Sequence, residues 1–213
     1  MLFRRKIYDK FLTWKKETGG KKALLVEGAR RIGKSTVVEE FAKNEYRSYI
    51  LIDFARANET VKGYFLEHLN DLDTFFMLLS VEYGVTLYPR ESIIVFDEVQ
   101  MFPKAREAIK YLVADGRYDY IETGSLISIK ENVKDIVIPS EERHIKMYPL
   151  DFEEFCWALQ EEPLVGYIRS CFDKREPLER SLHNKAMLLW GQYLLVGGMP
   201  MSVVAFLEGH KDF

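Results

Sequence analysis

The sequence predicts an α/β protein: a parallel sheet covered by helices on both faces over residues 1–149, followed by a small all-helical subdomain over residues 150–213. Three observations predict it. Short apolar runs of strand length alternate with amphipathic helical stretches through the first two thirds of the chain. A glycine-rich stretch, GARRIGKST, falls between the first such strand and the next helix. After Pro149 the strand-like runs stop, and only helical periodicities continue.

The elements follow in order. The opening MLFRRKIYDKF reads as a helix with an apolar face of Leu2, Ile7, Phe11 and Leu12. Lys22 to Glu27 is a short apolar run bounded by glycines, hence a buried strand. Ser35 to Asn44 sets Val37, Val38, Phe41 and Ala42 on one helical face. Ser48 to Phe54 is a second strand, and Asn58 to Gly84 is helical with a break near Asn70 and Asp71. Ser92 to Phe96 is a third strand, running into Asp97 and Glu98. Lys104 to Ala114 places Ala105, Ala108, Ile109, Leu112 and Val113 at helical spacing. Tyr118 to Thr123 and Arg143 to Tyr148 are the fourth and fifth strands. Beyond Pro149, Asp151 followed by Glu154 is a capping box opening a helix with Phe152, Phe155, Cys156 and Leu159. Pro177 suits the first turn of another helix carrying Leu178, Leu182, Ala186, Leu189 and Tyr193, and Pro200 starts a further short one.

Composition narrows the classes. With 213 residues, 47% of them hydrophobic and 30% charged, the chain has the means to bury a core and is not a disordered polymer. No apolar run approaches the roughly 18 residues of a membrane span, and the start lacks the apolar stretch of a signal peptide. The net charge of −3 argues against a whole-surface nucleic-acid binder, leaving DNA as a partner without support. Cys156 and Cys171 have no metal-type spacing and read as reduced core thiols of a cytoplasmic protein. The histidines His68, His144, His183 and His210 show no ligand spacing either.

Gly28, Ala29, Arg30, Arg31, Ile32, Gly33, Lys34, Ser35 and Thr36 carry the pattern G-x-x-x-x-G-K-[ST]. At average composition this pattern arises by chance in roughly 1% of chains this long, and the flanking strand and helix supply its confirming context. Each position has a physical reason. Glycines let the loop curl so that successive backbone N–H groups face one anion. The helix that follows adds its positive end. Lys34 supplies a cation for the β- and γ-phosphates, and the Ser35 hydroxyl is a ligand for Mg²⁺. Thr36 is better placed to orient phosphate than metal. Arg30 and Arg31 either hold phosphate or face solvent or a partner.

SIIVFDE is an apolar strand ending in two carboxylates, and a buried strand delivers its last residues to the carboxyl edge of the sheet, where ligands bind. Asp97 is placed to hold Mg²⁺ and Glu98 to orient or deprotonate the attacking water. The competing reading is a pair of helix-capping acids. Asp53 ends a strand at the same edge and either supports the metal site through water or forms a turn. Thr123, ahead of Ser125, could orient the water from the fourth strand, or cap a turn.

The stretches GARRIGKST, IIVFDEVQ with FPKA, ETGS, RHIKMYPLDFEEF and YLLVGGMP, in that order, resemble the AAA+ ATPases. In detail they are similar to bacterial and archaeal AAA-type proteins that continue into a C-terminal domain of unknown function. The resemblance covers nearly the whole chain. It implies a P-loop NTPase core of AAA+ type with Walker A and B elements, a helical lid, ATP/ADP as ligand, Mg²⁺, and hydrolysis that drives a core/lid change. It also implies that the chain stops about where the further domain begins, as a shortened form or a naturally short relative. Two departures are visible. Thr123 stands where the family's sensor is usually Asn, and Gly197-Gly198-Met199-Pro200 stands where a lid arginine is usual. The latter is similar to the Gly-x-Pro element of signal-transduction ATPases, whose proline packs on the nucleotide, so Pro200 is a candidate nucleotide contact and a slow nucleotide-dependent switch is the alternative to an active ATPase. In the family an arginine near Arg143 often reaches the γ-phosphate of a neighbouring subunit, which implies a homo-oligomer; the other reading is a surface arginine paired with Glu141 or Glu142. The unknown protein partner has no sequence signature.

Overall fold

The computed structural model describes residues 2–125 and 141–209. Among them, the first compact unit, Ile7–Arg30 with Lys34–Met147, contains five parallel strands: β1 (Ala23–Gly28), β2 (Ser48–Asp53), β3 (Ser92–Asp97), β4 (Asp119–Ser125) and β5 (Glu142–Lys146). Their order is β2-β3-β4-β1-β5. The strand bearing the loop and the strand bearing the two acids are therefore separated by β4, and all three end at one edge. The helices are α1 (Ile7–Thr18), α2 (Lys34–Glu45), α3 (Glu59–Glu67), α4 (Leu72–Tyr83) and α5 (Pro103–Asp115).

Parallel register puts Ile52, Phe96, Glu122, Leu25 and His144 in one row across the sheet. On this face Ile50, Ile52, Ile94, Phe96 and Tyr120 pack with Phe65 of α3, Phe75 of α4 and Ala108, Ile109 and Leu112 of α5. The opposite-pointing Leu24, Val26, Val95 and Ile121 are fully buried. Phe41 of α2 gathers Phe11 and Trp14 of α1 in edge-on or tilted ring contacts. Burial on both faces explains why these strands read as unbroken apolar runs.

The break in the long helical stretch falls where Asp71 caps α4, accepting from the Thr74 amide at 3.2 Å. The opening stretch departs from expectation. The first helix begins only at Ile7, and Leu2 (50%) and Leu12 (38%) are exposed. The buried positions are Ile7, Phe11 and Trp14, an i, i+4, i+7 stripe that fixes the helix further along the chain.

The second unit comprises the residues up to Lys6, Arg31–Gly33 and Tyr148–Phe213. Its helices are α6 (Phe152–Ala158), α7 (Glu162–Lys174), α8 (Arg180–Val196) and α9 (Pro200–Glu208). Leu150, Phe155, Cys156, Leu164, Leu189, Val203 and Phe206 form its core. Both halves of the capping box at Asp151 and Glu154 are present. Pro177 does not lie in a first turn: α8 starts three residues later, where the Glu179 carboxylate caps the Ser181 and Leu182 amides and leaves the proline in the connection. Cys156 and Cys171 are buried free thiols. Among the described residues no single helix is long and apolar enough to cross a membrane.

Candidate functional site

Gly28 ends β1, and the loop that follows turns twice through left-handed backbone, at Arg31 (φ 64°) and Gly33 (φ 91°). Gly33 supplies this conformation without side-chain cost, while Arg31 adopts it as a non-glycine residue. Lys34 opens α2 and is only 5% exposed. Its Nζ donates to the carbonyl oxygens of Gly28 (3.1 Å) and Ala29 (2.7 Å), so the ammonium lies back over the loop. Burial pulls its pKa below the ordinary lysine value, against the opposing pull of Glu98 and Asp97.

Asp97 ends β3 and is 7% exposed. Its Oδ1 accepts from the Ser35 hydroxyl at 2.8 Å and from the Thr123 hydroxyl. Thr123 is fully buried on β4, beside Val26 of β1, and its oxygen also accepts the Glu98 backbone N–H at 3.2 Å. Glu98 adopts left-handed backbone, φ 52° and ψ 45°, and its carboxylate accepts the side-chain amide of Gln100. Such a conformation costs a non-glycine residue roughly 1–2 kcal/mol, and strain of this kind gathers at functional sites.

The structure thus ties Lys34 to Gly28 and Ala29, and Ser35, Asp97, Thr123 and the Glu98 amide to one another, the two hydrogen-bonded groups meeting at the Lys34–Ser35 step of the chain. Arg30, Arg31 and Thr36 are exposed and Ile32 is buried. Ser125, at the end of β4, is buried and level with Gly28. Asp53 forms a turn: its side chain accepts from the Ala55 amide and its carbonyl from those of Arg56 and Ala57. Pro200 is the first residue of α9, and a β-carbon on Gly33 would stand 3.8 Å from its Cγ. Arg143 pairs with Glu17 of α1 at 2.7 Å, not with Glu141 or Glu142. It lies beside Leu24, four residues or about 13 Å of strand before Gly28, near the amino edge of the sheet. His210 lies outside the described residues. Gln100 is a site residue that spacing did not reveal, because its contact depends on the left-handed turn at Glu98.

The donor set suits Mg²⁺. One carboxylate and one hydroxyl are hard oxygen ligands, and Mg²⁺ ordinarily completes its shell with phosphate and water oxygens. Among the described residues no group of three or more His, Cys, Asp or Glu could cage a metal without such help.

A parallel sheet with a phosphate-type loop after β1, an acid pair after β3 and a strand between them defines a P-loop ATPase-type domain. The sequence matches the AAA domain family over residues 20–156, and the chain belongs to that family. None of the curated proteins matches it in sequence. Among solved structures it is similar to a Walker-type ATPase of Pyrococcus abyssi (17% identity, TM-score 0.49, covering 97% of this chain and 68% of that one). It is also similar to the Aeropyrum pernix Orc1 protein in complex with DNA (12%, TM-score 0.48, covering 91% and 67%). A third is PCH-2 of C. elegans (8%, TM-score 0.47, covering 96% and 62%).

Proposed function

We propose that this chain binds Mg-ATP on Gly28–Thr36 and hydrolyses it, with Glu98 receiving the proton of the attacking water and the reaction driving a change in the helical subdomain, residues 150–213. The observation that carries the reading is the convergence of the Ser35 and Thr123 hydroxyls on one oxygen of Asp97 in the unit that also holds the buried Lys34. Loop amides and Lys34 bind the β- and γ-phosphates, in charge-assisted bonds that replace the weaker ones to the Gly28 and Ala29 carbonyls. Ser35 and Asp97 are the metal ligands, and bound Mg²⁺ supplies charge neutralisation across the phosphate oxygens. Thr123 fixes the orientation of Asp97 and, through the Glu98 amide, the backbone of the proposed base. Pro200, whose Cγ faces Gly33, is proposed as a nucleotide contact. Arg30 and Arg31, exposed on the loop, are proposed to face solvent or a protein partner.

Two substitutions test this reading. Lys34→Ala is expected to abolish tight Mg-ATP binding with the fold intact, and unchanged affinity overturns the phosphate site. Glu98→Gln is expected to retain binding but to hydrolyse roughly 10²–10⁴-fold more slowly, the usual scale of general-base assistance. Hydrolysis at the parental rate removes Glu98 from that role.

A second reading, a slow nucleotide-controlled switch, is favoured by the Gln100 amide that engages the Glu98 carboxylate. That bond occupies a carboxylate oxygen that the first reading assigns to the attacking water. Steady-state turnover separates the two readings. Both fit the cytoplasmic AAA-type group with a further C-terminal domain, and neither requires DNA.

A further inference from the structure

Arg5 is an arginine that neither the loop motif nor the acid pair accounts for, yet it is only 7% exposed. Its guanidinium has three partners within one compact unit. Nη1 donates to the Ile32 carbonyl at 2.9 Å, Nη2 donates to the Tyr148 carbonyl at 2.6 Å, and Nε lies 3.3 Å from Oε2 of the buried Glu154. Glu154 also accepts the backbone amides of Lys6 (2.7 Å) and Asp151 (3.1 Å), the latter closing the capping box of α6.

The Ile32 bond bears on function because of peptide geometry. The Ile32 carbonyl and the Gly33 N–H belong to one planar trans peptide group and point in opposite directions. Arg5 holds the carbonyl, and so aims the Gly33 N–H the other way. The flanking residues, Arg31 and Gly33, are both left-handed, so local backbone preference gives this peptide little reason of its own to stay there. The Ile32 side chain is itself fully buried.

We propose that Arg5 is a positioning residue for a nucleoside polyphosphate: it aims the Gly33 amide at the phosphate and, through Glu154, links that orientation to the start of α6. This rests on the phosphate-site reading above. Binding that draws on the Gly33 N–H sharpens the Ile32–Arg5 bond, and the same guanidinium then holds Glu154 and the Tyr148 carbonyl more firmly. By linkage, order at the start of α6 favours binding by the same factor.

The test uses the full chain with Mg-ATP and Mg-ADP as probes. Affinity, steady-state kcat and KM, and amide hydrogen exchange over residues 148–158 are measured for the parent, Arg5→Gln, Arg5→Lys and Glu154→Gln. In the parent, nucleotide is expected to slow exchange over residues 148–158. Arg5→Gln is expected to weaken nucleotide binding about 10- to 100-fold, with kcat at saturation within about threefold of parental, and to lose that protection. Arg5→Lys keeps the charge but not the three-way fork, so it is expected to lose at least about fivefold in affinity; it decides the matter if Arg5→Gln fails to fold. Glu154→Gln, which leaves the Ile32 bond intact, is expected to lose the protection with a smaller loss of affinity. Parental affinity in a folded Arg5→Gln or Arg5→Lys, or a fall confined to kcat, overturns the proposal while the phosphate site stands. No binding by the parent overturns both.

Discussion

At the scale of single residues, Thr123 joins two parts of the site. Its hydroxyl donates to Asp97 and accepts from the Glu98 amide, inside a fully buried position. Thr123→Val keeps the shape and removes both bonds, leaving the part-buried Glu98 amide without its partner, which costs about 1–3 kcal/mol. The expected outcome is an unfolding free energy lowered by that amount in a denaturant titration, together with a higher Mg²⁺ requirement for nucleotide binding. A stability loss with no change in Mg²⁺ dependence assigns Thr123 to packing alone. Glu98 invites a comparison of two truncations. Both Glu98→Gly and Glu98→Ala delete the carboxylate, but only glycine relieves the left-handed backbone. The glycine variant is expected to be about 1–2 kcal/mol more stable than the alanine variant in urea unfolding. Equal stabilities mean that the turn at Glu98 is not held under strain. The placement of the loop, Asp97 and Glu98 at one edge of the sheet was legible in the sequence because each pattern spans a few consecutive residues at a strand end. Gln100 and Arg5 were not. Gln100 reaches Glu98 only through an unusual backbone turn, and Arg5 meets Ile32, Tyr148 and Glu154 across long stretches of chain.

At the scale of elements, close backbone approach decides one case and burial of charge another. Gly198 lies against Leu150, whose amide donates to the Gly198 carbonyl at 2.7 Å; a β-carbon there would stand 2.0 Å from the Leu150 carbonyl oxygen. Backbone on both sides leaves no flexible group to yield. Gly198→Ala is therefore expected to destabilise the helical unit by about 1–3 kcal/mol or more, read as earlier loss of protection in α8 and α9 by hydrogen exchange. Glu122 sits on β4 in the middle of the sheet, with Glu142 of β5 and Arg106 of α5 as its charged neighbours; Glu142 in turn meets His144, and His144 meets Glu27 of β1. Arg106 is committed to Glu142 through two bonds of 3.2 and 2.8 Å. Burial first, then the Glu142 charge, pushes the Glu122 carboxyl well above its usual 4.5. The folded state thus holds a proton that the unfolded chain releases. The stability this gives is complete below pH 4.5 and declines as pH rises through the raised folded value, by up to about 1.4 kcal/mol per unit. Glu122→Gln, which mimics the protonated form, is expected to flatten the fall in urea midpoint as pH rises above 4.5; an unchanged slope places the titration elsewhere. The strands were legible because burial on both faces makes them uniformly apolar. The first helix and the start of α8 were misplaced because an exposed Leu2 and a proline outside the helix satisfy the local patterns equally well, and only packing and the Glu179 cap choose between the registers.

At the scale of the whole molecule, the proposed ATPase site is either complete in one chain or completed by an arginine from a second copy. Arg143 is the residue through which the family resemblance implies a neighbouring subunit. In the structure it pairs with Glu17 at a half-exposed position, and an ion pair of this kind contributes only about 0–1 kcal/mol, so its retention needs no more than surface electrostatics. An arginine supplied to a phosphoryl transition state is worth about 10³–10⁵ in rate, so the two roles differ by orders of magnitude. If Arg143 acts in trans, it must leave Glu17, a small cost beside that gain, and specific activity should climb with protein concentration as subunits meet. Arg143→Ala protein mixed with Lys34→Ala protein should then recover activity that neither has alone, because one interface joins an intact pocket to an intact arginine. If the Glu17 pair is its whole role, Arg143→Ala should change turnover less than about threefold and mixing should restore nothing. Glu17→Ala separates the cases further. Freeing Arg143 should leave the rate unchanged or raise it under the trans reading, whereas under the surface-pair reading it should match Arg143→Ala in stability and rate. A fast ATPase whose specific activity is independent of concentration excludes the trans arginine.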